Sequence, residues 1–134
     1  MPAHHTIDDT KKLITTTWSG EAVDNELIAA LTKYQQDIRS QSQYYSFNDI
    51  VDFSTVNSFR LSTEGIIKLA QLAANTDILG IKTKLAIIVK KPIAFGLGRM
   101  YETYRNVMPS GLKEVRVFMN HSDALVWIES DRNY

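Results

Sequence analysis

Cysteine is absent from the 134-residue chain, which excludes disulfides, thiolate metal sites and a cysteine nucleophile. Histidine is scarce: His4 and His5 lie in a polar opening segment, and His121 follows a strand pattern at the start of a helix pattern. No Gly-x-Ser-x-Gly elbow and no phosphate-binding loop ending in Gly-Lys-Ser/Thr occurs. Gly96-x-Gly98 opens like a dinucleotide fingerprint, but Tyr101 stands where the third glycine belongs. The acidic pairs Asp8-Asp9 and Asp49/Asp52 have no histidine or further carboxylates at ligand spacing. No catalytic residue, metal ligand set or cofactor motif is therefore expected, and the chain reads as non-enzymatic. No apolar run reaches the roughly 18 residues of a membrane span. The opening MPAHHTIDDTKK lacks the apolar stretch of a secretion signal, so a cytoplasmic location is the expectation.

The net charge is zero, yet it is unevenly placed. Lys82, Lys84, Lys90, Lys91, Arg99, Arg105, Lys113 and Arg116 face only Glu102 and Glu114 between residues 82 and 116, a balance of +6. Such a field can attract phosphates, an anionic membrane surface or an acidic partner, or it can simply solvate strand ends. With few exposed aromatics among these cations, nucleic acid is not an expected partner.

Strand and helix patterns alternate along the chain. Residues 1–10 read as a flexible leader, 11–130 as one domain and 131–134 as a tail. Leu13 to Trp18 is β-branched and strand-like. A helix is expected from about Asn25 to Ser40, capped by Asp24, and a second strand from Asn48 to Phe53. Ser62 can cap a helix running to about Asn75 that buries Ile66, Leu69, Ala70 and Ala73. Leu85 to Val89 is an unbroken apolar run, as expected of a strand covered on both faces. Pro92 opens a third helix, Pro109 and Gly111 mark a loop, and Val115 to Phe118 and Ser122 to Glu129 close the chain as strand and helix. The expectation is a single α/β domain: a mostly parallel sheet of four to five strands with about four helices.

Three segments resemble the bacterial SpoIIAA-like family. They are Ile50-Val51-Asp52-Phe53-Ser54, Leu85-Ala86-Ile87-Ile88-Val89 and Ala94-Phe95-Gly96-Leu97-Gly98-Arg99-Met100-Tyr101. The ending Glu114-Val115-Arg116-Val117-Phe118, with Asp123-Ala124-Leu125-Val126-Trp127, is similar to the family's close. The resemblance implies a small STAS-type sandwich, related in fold to anti-sigma-factor antagonists and compared with CRAL-TRIO lipid-binding domains. In the antagonists a serine just before a glycine at a helix start is phosphorylated. Here Ser62-Thr63-Glu64-Gly65 falls at that helix start, and Glu64 stands in the acceptor's place. A phosphoswitch is therefore not expected, and Ser62 and Thr63 read as cap residues.

Two functional readings follow. The first is a module that binds an apolar or amphipathic, lipid-like small molecule, with peripheral contact to a membrane through a movable helix at 92–107. On a helical projection Ile93, Leu97, Met100, Tyr101, Tyr104 and Val107 share the core side, and Phe95 points away beside Arg99. Gly96 and Gly98 weaken the first turns by about 1 kcal/mol each relative to alanine. The ligand is expected near the carboxyl edge of the sheet, bordered by Asp52, Ser54, Pro92, Phe95, Arg99, Met100, Tyr101 and Asn120. The second reading is a regulatory protein-interaction module using the edge from Ser54 to Gly65. Phe95 could equally meet a neighbouring loop or a second copy of the chain in a homodimer.

Overall fold

The computed structural model describes residues 2–77, 80–107 and 112–130; the expected Pro109–Gly111 loop and the 131–134 tail lie outside them. The main strands are β1 (Ala3–Asp8), β2 (Leu13–Trp18), β4 (Asn48–Asp52), β6 (Lys82–Ile88) and β7 (Leu112–Phe118). They form one sheet in the order β1-β2-β4-β6-β7, parallel throughout except for β1. Helices α1 (Asp24–Tyr34), α2 (Thr63–Ala74) and α3 (Pro92–Val107) cover one face, and α4 (His121–Glu129) covers the other. The expected α/β sandwich with a mostly parallel sheet is thus present. No helix among the described residues is long and apolar enough to cross a membrane.

The unbroken apolar run in β6 follows from this layering. Leu85, Ile87 and Val89 pack with Ala94, Val115 and Val117 beneath α3, while Ala86 and Ile88 pack with Leu13, Ile50, Ala124 and Ile128 beneath α4. Successive side chains leave opposite faces of a strand, so a strand covered twice needs apolar residues at every position. A short parallel pair, β3 (Ala22–Val23) and β5 (Phe59–Arg60), ties the entrance of α1 to that of α2.

Residues 3–8, expected as a flexible leader, are a strand antiparallel to β2, with Ala3 opposite Trp18 and Asp8 opposite Leu13. Its half-buried positions alternate at Ala3, His5 and Ile7 and are joined by Asp8 at the strand end, so its composition stays polar while one face packs. The ring of His5 supports this placement, with Nδ1 2.7 Å from Thr16 Oγ1.

The helix starts also differ from expectation at one point. Val23, not Asp24, occupies the cap position of α1 and makes no side-chain cap bond. The Asp24 carboxylate reaches instead to α2, accepting from Ser62 N at 3.1 Å and from Ser62 Oγ at 2.6 Å. Ser62 caps α2 as expected by accepting from Gly65 N at 2.9 Å. A Cβ at Gly65 would lie 2.2 Å from Asp24, so the glycine is what permits this approach. Downstream, the α1 ladder widens into a π-helical turn at Gln35–Arg39, which turns Arg39 inward.

The core side of α3 is not the expected stripe. Ala94, Gly98 and Arg105 are buried with Tyr101 largely covered between them, whereas Ile93 and Val107 are 75% and 74% exposed. Small residues at Ala94 and Gly98 let the helix backbone settle onto β7: a Cβ at Gly98 would meet Val117 Cγ2 at 2.9 Å. The same helix seals the β7 edge. Asn106 exchanges two 3.2 Å hydrogen bonds with the Val115 backbone, and Glu102 accepts from Val117 N at 3.1 Å. These bonds occupy groups that an edge strand otherwise offers to other chains.

Gly96 and Gly98 should consequently respond in opposite directions to alanine. At Gly96 nothing lies within 4 Å of the added atom, so Gly96→Ala should gain about 1 kcal/mol of helix stability. Gly98→Ala should lose that gain and more to overpacking of about 1–3 kcal/mol. Urea unfolding of the two variants checks this, and equal midpoints would contradict the close approach of α3 to β7.

Candidate binding cavity

Between the sheet and helices α1 to α3 lies a cavity of about 200 Å³. Its apolar wall includes Trp18, Leu27, Phe53, Phe59, Leu69, Ile87 and Leu97. The polar end lies at the amino ends of the parallel strands, where Asp49, Thr83 and Lys113 are each the second residue of β4, β6 and β7. A helix that links two parallel strands runs back to the start of the next strand. Tyr34 at the end of α1, Asp77 after α2 and Arg105 late in α3 therefore arrive at that same end.

The charges there share few partners. Asp49 is 6% exposed and accepts from Tyr34 through Oδ1, and from both Arg39 and Lys113 through Oδ2, with Lys113 Nζ at 3.0 Å. Arg39 also donates to the carbonyls of Tyr44 and Phe47, the latter at 2.9 Å, and so pins the π-helical turn to the start of β4. Lys113 lies 3.4 Å from Thr83 Oγ1. Arg105 is 2% exposed and donates from Nη2 to Asp77 Oδ1 at 2.9 Å. Its Nε is buried without any hydrogen-bond partner.

One carboxylate between two cations has an uneven effect on ionisation. Burial pushes Asp49 upward, but Lys113, Arg39 and the Tyr34 hydrogen bond together hold it below its ordinary 3.8. Burial pulls Lys113 below its ordinary 10.5, and Asp49 offsets this incompletely while Arg39 repels the charged amine. Arg39 is raised: burial opposes its charge, but Asp49 and Tyr34 outweigh burial. Both phenols are pushed up chiefly by burial, Tyr101 to about 12, so they stay protonated donors. His5, tilted against Tyr34 with ring centroids 5.0 Å apart, is lowered by burial first and then by His4.

No protein-family model and no curated protein matches the chain. Among solved structures it is similar to an uncharacterised DUF3478-family protein with a SpoIIAA-like fold from Shewanella loihica PV-4. The two share 15% identity at a TM-score of 0.55, over 94% of this chain and 93% of that one. The fold is SpoIIAA-like. That likeness carries the architecture alone and leaves function to the site itself.

Within this SpoIIAA-like domain, Tyr101 alone of the residues expected at the site lines the cavity. Asp52 accepts from Ser54 N at 2.8 Å in the turn after β4. Asn120 caps α4 by accepting from Asp123 N at 2.9 Å. Pro92 is exposed, Met100 is half-buried, and Arg99 is exposed 4.0 Å from Glu102. Phe95 does not point outward: it is half-buried against the Leu85–Val89–Val117 cluster. With Ala94 and Gly98 marking the buried face, Phe95 lies beside that face rather than opposite it. Ser62, Thr63 and Glu64 are exposed at the α2 start, where Ser62 is engaged by Asp24 and Gly65.

The basic segment partly turns inward too. Arg105 and Lys113 belong to the cavity, and Lys84 is buried on the α4 side, donating to Trp127 O at 2.7 Å and Ser130 Oγ at 2.9 Å. Sequence reasoning missed Arg39, Asp49, Asp77, Arg105 and Lys113 as site residues. A signal did exist in the alternation Asp49-Val51-Phe53 and Lys113-Val115-Val117, which puts each charge on the face of its apolar neighbours.

Because Asp49 is held below 3.8, its stabilising contribution is complete above that pH and is lost as pH falls through the folded value. Asp49→Asn leaves two buried cations without their carboxylate and should cost about 3–5 kcal/mol near neutrality. In urea unfolding the deficit should narrow once the pH drops below 3.8; a deficit constant with pH would refute the charged assignment.

Proposed function

We propose that the chain is a non-catalytic module that binds an apolar or amphipathic small molecule between the sheet and α1 to α3. The cavity is the observation that carries this reading. About 200 Å³ of space bounded mainly by apolar side chains leaves room for a small molecule where a closed core would be packed to native density.

Size narrows the occupant. An apolar cavity of about 150 Å³ takes up benzene, and drug-sized pockets run to about 300–1,000 Å³. A single ring or one short acyl chain suits the space, and a two-chain lipid does not. Helix α3 contributes Ala94, Leu97, Gly98 and Tyr101 to the wall and is the element that would move for entry. Contact with an anionic membrane during loading would fall to Ile93, exposed beside Lys90 and Lys91, rather than to Phe95. The regulatory-module alternative has no comparable support, since Ser62 on its edge already serves as a cap.

Ala73 lines the cavity from α2, and Ala73→Phe would place a ring in the space. Solvent extraction and mass spectrometry of the purified protein should release a small apolar molecule from the wild type and none from the variant. Binding of the neutral dye Nile red should weaken by more than about tenfold, equivalent to 1.4 kcal/mol. Undiminished dye binding by a folded Ala73→Phe protein would refute the cavity as the site.

A further inference from the structure

The polar end of the cavity carries an unbalanced charge. Among the described residues that line it, Arg39, Lys113 and Arg105 face only Asp49 and Asp77. Lys113 interacts with both carboxylates as well as with Arg39, so these groups form one electrostatic cluster rather than separate pairs. A buried charge without a counter-charge is strongly unfavourable. Arg105 adds an independent sign of an absent partner. It is 2% exposed, it lines the cavity, its Nη2 is satisfied by Asp77 and its guanidinium lies against the Tyr101 phenol, which leaves Nε–H without a well-aligned acceptor. Buried donors of this kind are almost always paired. A charge excess and an orphaned guanidinium donor at the same end of an apolar cavity call for the same thing, an anionic acceptor.

We infer that the ligand is a monoanionic amphiphile, a carboxylate on a short acyl chain or a single ring. Its carboxylate lies with Arg105 and Lys113, and its apolar part runs toward Phe53 and Phe59. This rests on the cavity reading above and adds the head group to it. One excess positive charge matches one carboxylate, whereas a phosphate monoester brings about −1.5 to −2. A planar carboxylate also suits a guanidinium edge. The phenol of Tyr101, protonated at neutral pH, lines the same end as a further neutral donor. Burial pulls the Lys113 amine below its ordinary 10.5, and a neighbouring anion favours its charged form.

Isothermal titration of the full chain with octanoate, octanol and octylamine separates head from tail. Octanoate should bind at least about tenfold more tightly than octanol, as expected for hydrogen bonds to a charged group, and octylamine should not bind. Lys113→Met should bring the octanoate-to-octanol affinity ratio close to one, and Lys113→Arg should restore it. Arg105→Lys keeps the charge opposite Asp77 but removes Nε, and it should lower the ratio even if Lys113→Met fails to fold. Equal affinity of the wild type for octanoate and octanol would overturn the anionic head group while leaving the cavity reading standing. No binding of any of the three would overturn both.

Discussion

The Asp49 carboxylate is the constraint on which this end of the molecule depends. It joins β4 to the end of α1 through Tyr34, to the π-helical turn through Arg39, and to β7 through Lys113. Each partner belongs to a different stretch of chain, so one buried side chain ties the ends of α1 and of the π-helical turn to the start of β7. The connection also explains the helix irregularity before β4. The π-helical turn brings Arg39 inward to the carbonyls of Tyr44 and Phe47 as well as to Asp49. A buried ion cluster is seldom the most stable way to fill a core, since well-packed apolar residues often do as well.

The opposite wall depends on close approach instead of charge. Gly98 allows α3 to rest on Val117, and Asn106 and Glu102 then reach the backbone of β7. The same seating carries Tyr101 and Arg105 over the cavity, because both follow Ala94 and Gly98 along the buried face of the helix. An edge seal and a cavity wall are thus two consequences of one packing arrangement. The Asp24–Ser62–Gly65 junction does comparable work between α1 and α2, where a glycine again makes room for a neighbouring side chain.

Much of the architecture was legible in the sequence because it rests on period and turn chemistry. The β6 run, the Ser62 cap and the alternation of strands and helices each have a local signature. The site was less legible, since its chemistry runs against the usual partition of charge to the surface. Arg105 reads as a surface residue by type, yet it continues the buried spacing of Ala94, Gly98 and Tyr101. That spacing is hard to see when size is taken as the mark of the core, because alanine and glycine carry little apolar signal and the larger Ile93 and Val107 face solvent. The +6 segment likewise suggested an external field, but two of its cations are directed into the cavity and Lys84 into the α4 side. β1 escaped notice because a half-buried edge strand needs only every second residue to be covered.

The most direct test of a cavity that takes an anionic amphiphile is crystallography with a terminally brominated short-chain carboxylate. The account expects an anomalous bromine peak among Trp18, Phe53 and Phe59, with the carboxylate within hydrogen-bonding distance of Arg105 Nε and Lys113 Nζ. A bromine outside the sheet–helix space, or a carboxylate turned toward the aromatic end, would contradict it.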